Sequence, residues 1–313
     1  MLHVNIIART NGVGLDQDVD LVHRTLAQSG FQVTVSHYRS IPAWSALLPR
    51  KSTFDANIFL ERVFPRWLSR AKMNFLIPNQ ERFPKRHLKH LKPINAVLCK
   101  TQHATGIFSQ HAEACHVGFT SADRSLPYVR PDYQSCFHLA GRSTLKGTET
   151  LLELWKQHPT WPRLTIVQCS ENAPESVPDN VRLLSGYLSS EELIREINQH
   201  GIHLCPSRSE GWGHYIAEAM SCRAVVVTTD SPPMNEIIRP ETGILVPYHR
   251  QEPRHLGTNF YADPDALNTS LEETFQLSEA DKRNYGENAR DWFEANDRTF
   301  TRTFPESIQN LLS

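Results

Sequence analysis

The chain has 313 residues, 33 lysines and arginines against 34 aspartates and glutamates, and a formal net charge of −1 at pH 7. That length suits two domains of ordinary size, each with its own core, and the near-neutral balance lacks the broad basic field of a nucleic-acid binder. Six cysteines without a C-x-x-C pair read as reduced core residues of a cytosolic protein.

No run approaches the roughly 18 apolar residues of a membrane span, and the chain starts on a strand-like run rather than a basic n-region, so it is expected to be neither secreted nor integral. The strand at 2–7 leads into Ala8-Arg-Thr-Asn-Gly12-Val-Gly14. A helical pattern over 16–29, closed by Gly30, and a second strand at 31–36 complete a βαβ unit. Gly12 and Gly14 stand where a phosphate or sugar loop belongs. A dinucleotide fingerprint needs a third glycine at position 17 and an acid closing the second strand. Gln17 and Ser36-His37 stand there instead, which disfavours a nicotinamide dehydrogenase.

Strands at 56–60, 74–77, 96–100 and 116–119, with helical stretches between several of them, extend a parallel sheet. The segment Pro78-Asn79-Gln80-Glu81 offers Asn79 and Glu81 as polar groups toward a cleft, with His103 as the next candidate. Lys85-Arg-His-Leu-Lys89-His-Leu-Lys92 reads as a short basic amphipathic helix, either a solvated face or a contact for anionic headgroups. The histidines here show no metal-ligand spacing with the cysteines, so no metal site is expected.

Ser125-Leu-Pro-Tyr-Val-Arg-Pro-Asp132 has two prolines and no periodicity, as a linker does. A second alternation follows, with strands at 136–140, 164–168, 181–184, 202–205, 224–228 and 244–246 and helices such as 148–157 and 191–198. The tail from position 264 is helical, and its Trp292, Phe293, Phe300 and Phe304 are more aromatic surface than one exposed helix needs.

Three segments of this second half carry chemistry. His138-Leu-Ala-Gly141-Arg142-Ser-Thr-Leu-Lys146-Gly147 is a strand, a turn with two cations and a glycine before a helix. Arg142 offers a fork for phosphate oxygens and Lys146 a point charge, together able to neutralise a departing diphosphate. Gly186-Tyr187-Leu188, followed by Ser-Ser-Glu-Glu, makes a tight turn and a helix cap. Pro206-Ser-Arg-Ser-Glu210-Gly211-Trp-Gly213-His214-Tyr215-Ile-Ala-Glu218-Ala-Met sets two carboxylates eight residues apart across a glycine-rich turn that opens a helix. Free N–H groups at that helix start favour anions, and the glycines let backbone approach a ligand.

The last segment fills every fixed position of P-S-x-x-E-G-x-G-x-x-x-x-E-A-M. It resembles the E-x7-E signature of the retaining glycosyltransferases with the GT-B fold, of the family 4 (group 1) type; the Arg142–Lys146 segment is similar to that family's upstream G-R-x-x-x-K-G element. Where the family often has a histidine after a middle strand of the first lobe, this chain has Phe75-Leu-Ile-Pro78. Where it usually has glycine and proline before a strand, this chain has Ser221-Cys-Arg223. The resemblance implies an α/β GT-B fold, with two Rossmann-like doubly wound parallel-sheet lobes and a donor cleft between them. It divides the chain into an acceptor-side domain at 1–132, a donor domain at 133–290 and a last helix at 291–313 returning to the first.

By the same resemblance, a sugar moves with retention, and without a metal or cofactor, from a nucleoside-diphosphate-sugar to an acceptor whose identity stays open among glycan, lipid-linked and small molecules. The implied catalytic residues are Glu210, Arg142 and Lys146. Donor binding falls to Glu218, Gly211, Gly213, His214, Tyr215, Gly186, Tyr187, Leu188, Gly12 and Gly14, with Glu218 on the ribose, and Glu236 matches a further family carboxylate. The acceptor side falls to Asn79, Glu81 and His103. A catalytically silent sugar-nucleotide-binding scaffold and a GT-B sugar-nucleotide epimerase are the rival functions. A cytoplasmic protein in weak peripheral contact with the inner membrane face is the expected setting, and oligomeric state is open.

Overall fold

The computed structural model describes residues 1–9, 14–41, 52–186 and 188–313; Gly12 and Tyr187 of the expected donor set lie outside them. The chain divides into two compact units, one of Met1–Ala122, Pro253–Gly257 and Asn296–Ser313, the other of Asp123–Glu252 and Thr258–Ala295. The expected boundaries were 1–132, 133–290 and 291–313.

The first unit holds β1 (His3–Ala8), α1 (Gly14–Gln28), β2 (Gln32–His37), β3 (Phe54–Leu60), β4 (Ala71–Ile77), β5 (Ala96–Cys99), α2 (Gln102–Phe108) and β6 (Ala114–His116). The strands form one sheet in the order β2-β1-β3-β4-β5-β6, every pair parallel. A row of buried amides fixes its register. The Asn5 amide donates to Asn57 (3.2 Å) and the Asn57 amide to Asn74 (2.9 Å) and to the Trp67 carbonyl (2.8 Å). A one-residue slip would bury these amides without partners, at about 1–3 kcal/mol each.

Two expectations are corrected in this unit. The strand expected at 116–119 lies earlier, at Ala114–His116. The basic helix expected at 85–92 is a 3-10 turn, Lys85–His90, with none of its residues buried. Like charges three and four residues apart oppose an α-helix that short, and Pro93 bounds its extension.

The second unit holds β7 (Asp132–Gly141), α3 (Thr148–Gln157), β8 (Leu164–Gln168), β9 (Val181–Ser185), α4 (Ser190–Gln199), β10 (His200–Cys205), α5 (His214–Ser221), β11 (Val225–Thr229), α6 (Met234–Ile237) and β12 (Gly243–Val246). Its sheet runs β12-β11-β10-β7-β8-β9, again all parallel. Leu151, Leu154 and Trp155 bury one stripe of α3 against it. α4 begins with the expected cap: the Glu192 N–H donates to the Ser189 hydroxyl and the Ser189 N–H to the Glu192 carboxylate. From β7 the chain runs outward through β8 and β9, then returns to the other side of β7 at β10. The carboxyl ends of β7 and β10 therefore flank a topological switch point, where open α/β sheets bind ligands.

A two-stranded hairpin that the sequence does not announce follows, β13 (Tyr248–Arg254) and β14 (Gly257–Ala262). Then come α7 (Pro264–Gln276) and α8 (Glu279–Leu312), one continuous helix of 34 residues where a separate helix was expected at 291–313. Its last part accounts for the aromatic excess within the first unit: Phe300 and Phe304 are buried, the Phe300 ring meets Phe119 at 5.2 Å, and the Asn296 amide donates to the Phe119 carbonyl. Among the described residues no helix is long and apolar enough to cross a membrane.

Candidate active site

The switch point of the second unit is occupied by the two loops that the sequence singled out. The first leaves β7 at Gly141, carries Arg142 and Lys146, and enters α3 through Gly147. The second leaves β10 at Pro206, carries Glu210 and enters α5 through Gly213. They are tied together. The Arg208 N–H donates to the Leu145 carbonyl at 2.8 Å, and a Cβ on Gly147 would lie 2.5 Å from the Pro206 carbonyl oxygen. Gly147 also has φ 72 and Gly213 φ 115, in the left-handed region where glycine is favoured.

Across this junction the Lys146 ammonium donates to Glu210 Oε1 at 2.6 Å and sits 3.4 Å from the centre of the Tyr215 ring. The Ser207 hydroxyl donates to the same Glu210 oxygen at 2.5 Å and lies 2.6 Å from the Tyr215 hydroxyl. Because Ser207 has one proton and gives it to Glu210, Tyr215 is the donor in the second contact. The chain of donors therefore runs from Tyr215 through Ser207 to Glu210. Burial holds the Tyr215 phenol well above its ordinary pKa, so it stays a donor. Lys146 and Glu210 are each 15% exposed. An ammonium has three protons, one given to Glu210 and one facing the Tyr215 ring, so Lys146 has one more to offer a ligand.

Beneath the junction His138, wholly buried on β7, joins the strand before one loop to the helix after the other: Nδ1 lies 2.7 Å from the Leu204 carbonyl on β10 and Nε2 2.9 Å from the Thr148 hydroxyl at the start of α3. A carbonyl accepts only, so Nδ1 carries the proton and Nε2 accepts from Thr148. Burial brings its pKa down to about 4, keeping the ring neutral.

Glu218 lies two turns into α5 in different company. Its carboxylate, 8% exposed, accepts from Arg124 Nε at 3.0 Å. Arg124 is itself pinned: its N–H donates to the Ser221 hydroxyl, and its carbonyl accepts from the Asn198 amide. Arg290 grips both oxygens of neighbouring Asp123, at 2.7 and 2.8 Å.

The remaining expected residues are dispersed. Arg142 is exposed, and its carbonyl accepts from Asn172. Gly211 is buried in the Glu210 loop, and His214 opens α5 half-buried. Gly186 turns with φ 106, and Leu188 packs on the cluster of Phe137, Val167, Ile197 and Cys222. Glu236 is half-buried in α6. In the first unit, Gly14 opens α1 and Asn79 accepts from the buried Lys100 at 3.1 Å, which also pairs with Asp18 at 2.6 Å. Glu81 is buried and pairs with Arg82, and His103 is half-buried in α2. Sequence reasoning named neither Ser207 nor His138 as functional, although both stand inside quoted motifs. Arg124 carries no signal beyond its place beside the linker. Among the described residues, no three His, Cys, Asp or Glu side chains are grouped to hold a metal ion.

Residues 175–292 match the model of the family Glycosyl transferases group 1, which takes in Glu210, Glu218 and the Gly186 turn. No curated protein matches the chain in sequence. Among solved structures it is similar to the sucrose-phosphate synthase of Thermosynechococcus elongatus, at 15% identity and TM-score 0.74, with 99% of each chain covered. It is similar also to a glycosyltransferase of Rickettsia africae, at 13% identity and TM-score 0.72, covering 100% of this chain and 99% of that one. HepE of Anabaena, determined with UDP and glucose, aligns at 13% identity and TM-score 0.69 over 99% of this chain and 100% of that one. Residues 175–292, which hold both glutamates, are similar to the glycosyl transferases group 1 family, and the chain around them has the GT-B fold of the solved structures it resembles, two Rossmann-like lobes each with a parallel six-stranded sheet.

Proposed function

We propose that the protein moves a sugar, with retention at the anomeric carbon, from a nucleoside diphosphate to an acceptor hydroxyl, and that cations rather than a divalent metal neutralise the leaving group. The observation that carries this is the Lys146–Glu210 contact at the switch point of the donor-side sheet. It sets a phosphate-seeking ammonium beside a carboxylate able to accept from sugar hydroxyls. In this reading Arg142 and Lys146 take the diphosphate, Glu210 orients the transferred sugar and Glu218 takes the ribose. Gly186 to Leu188 line the base, and Gly211, Gly213, His214 and Tyr215 shape the loop. The leaving phosphate helps deprotonate the acceptor hydroxyl, so no protein nucleophile is required. Asn79, Glu81 and His103 belong to the acceptor side, and the Lys85–Lys92 run supports weak contact with an anionic membrane face. Six free cysteines fit a reducing compartment.

Incubation with a panel of nucleotide sugars, with products separated and the new linkage read by NMR, tests the proposal. Free nucleotide together with a retained glycoside is the expected result, surviving excess EDTA. An intact but altered donor would make the protein an epimerase, and binding without turnover of any donor would make it a scaffold.

A further inference from the structure

The first unit carries a second gathering of cations that this chemistry does not use. Arg62 stands two residues beyond β3, Arg86 and His87 lie on the 3-10 turn after β4, and Arg254 and His255 lie on the 253–257 segment. These distant parts of the sequence meet by packing. Leu256 joins the same apolar cluster as Phe83 and Leu88. A Cβ on Gly257 would lie 3.2 Å from the Glu81 backbone nitrogen, and the Phe83 and His87 ring centres are 5.9 Å apart. Arg62 and Arg86 follow parallel strands at their carboxyl ends, the side of an open α/β sheet where ligands bind.

The cluster is of one sign. The His87 pKa is held below its ordinary value first by burial and then by Arg62, His90, Arg86 and Lys89; that of His255 first by burial and then by Arg254, Arg86 and Arg62. No carboxylate acts on either imidazole, and Glu81, on the preceding turn, pairs with Arg82. Among the described residues Arg62, Arg86 and Arg254 enter no ion pair, and the buried Nε atoms of Arg62 and Arg254 donate to nothing. Guanidinium forks match phosphate oxygens two at a time, and an anion among like charges relieves a repulsion that the empty fold bears.

We propose that Arg62, Arg86 and Arg254 form a binding site for a phosphate group, flanked by His87 and His255, and that the acceptor carries that phosphate. The second clause rests on the transferase reading; the site itself does not. Two sources share the chemistry, a soluble phosphorylated molecule and an anionic lipid headgroup.

The test titrates inorganic phosphate into the full chain at constant ionic strength, following the carbon-bound imidazole protons of His87 and His255, assigned through H87Q and H255Q. A saturable shift of both is expected, together with a rise in their apparent pKa. The double variant R62Q/R254Q should weaken it by about tenfold or more. K146A should leave it unchanged, which separates this site from the donor site, and circular dichroism checks that both variants fold. Sedimentation with vesicles of equimolar phosphatidylcholine and phosphatidylglycerol then separates the sources. Co-sedimentation lost in R62Q/R254Q identifies a headgroup, and phosphate binding without co-sedimentation identifies a soluble phosphorylated acceptor. A shift matched by chloride, a shift intact in R62Q/R254Q, or no saturable shift overturns the proposal, while nucleotide-sugar turnover still stands or falls on its own.

Discussion

Glu210 and Glu218 belong to one fifteen-residue signature, yet the structure treats them differently. Glu210 sits in a loop, 15% exposed, with one oxygen shared by Lys146 and Ser207. Glu218 sits in a helix, 8% exposed, held by an arginine whose own backbone is fixed by Ser221 and Asn198. In the proposed reading the first carboxylate balances the cation that a diphosphate also needs, so its partner serves two anions during a cycle. The second has a partner of its own. One residue type at a fixed spacing therefore yields one carboxylate tied to a loop ammonium and one held by an anchored arginine.

The sharpest way to break this contrast is to remove the charge at each end and measure nucleotide affinity beside turnover. Glu210→Gln should lower turnover by about a hundredfold or more if, as proposed, the carboxylate orients the transferred sugar. The same change frees Lys146, so nucleoside diphosphate should bind as well as before or more tightly. Titration calorimetry and donor turnover measured on one preparation give both numbers. Weaker nucleotide binding in Glu210→Gln would show that the Lys146 pair positions the ammonium rather than competing for it.

Acid should separate the ends next, because His138 lies beneath the Glu210 end only. Its folded pKa, about 4, is depressed from 6.5, so below 6.5 the unfolded chain takes up a proton that the folded chain refuses. The stabilisation is complete above 6.5 and is lost as pH falls toward 4, by about 3 kcal/mol in all. Buried His203, brought down to about 3, adds a slope of the same sign. Urea unfolding of wild type and His138→Asn between pH 7 and 4.5 checks this: the variant should be less stable at pH 7 yet lose stability with roughly one proton less slope. An unchanged slope would place the protonation elsewhere.

The two ends were not equally legible in the sequence. Glu210 and Lys146 lie in loops whose glycines mark tight turns, with Tyr215 in the first turn of the helix that follows, and a motif of that density survives without tertiary context. Arg124 could not be read because its pairing with Glu218 spans 94 residues and depends on where the segment after the first sheet comes to rest. Helices and central strands followed from periodicity, as in α3, where Leu151, Leu154 and Trp155 repeat at helical spacing. The hairpin did not: every residue of β13 from Tyr248 to Pro253 is exposed, so it lacks the alternation that betrays a half-buried strand. The run at 85–92 misled in the opposite sense, its spacing implying an α-helix where like charges three and four residues apart leave a 3-10 turn.

At the Glu218 end the expected change is smaller and purely in binding. Glu218→Gln should lose about tenfold in nucleoside diphosphate affinity, the worth of a charge-assisted hydrogen bond to a ribose hydroxyl, with turnover at saturating donor little altered. Arg124→Ala keeps the carboxylate and removes its anchor, so it should lose less. If Arg124→Ala loses more than Glu218→Gln, the guanidinium itself contacts the nucleotide. Competition by free nucleoside diphosphate against the donor measures both variants.

The smallest effect should come from the hairpin, which braces the loop before Glu210. The Phe260 N–H donates to the Arg208 carbonyl at 2.7 Å, and Arg208 and Arg250 lie 4.6 and 3.8 Å from the centre of the Tyr261 ring. Arg208 also pairs with Glu149, so the loop before Glu210 is braced from two sides. Tyr261→Leu removes the ring and should cost about 0.5–1 kcal/mol of positioning, a two- to fivefold fall in turnover. Nucleotide affinity should stay at the wild-type value, because the Glu218 end has no share in the stack. Tyr261→Phe keeps the ring and loses only the hydroxyl bond to Glu252, so it should turn over almost as wild type does. Equal losses in Leu and Phe would move the effect from the stacked arginines to that hydroxyl, and a matching loss of nucleotide affinity would mean that the two carboxylates are not mechanically separate.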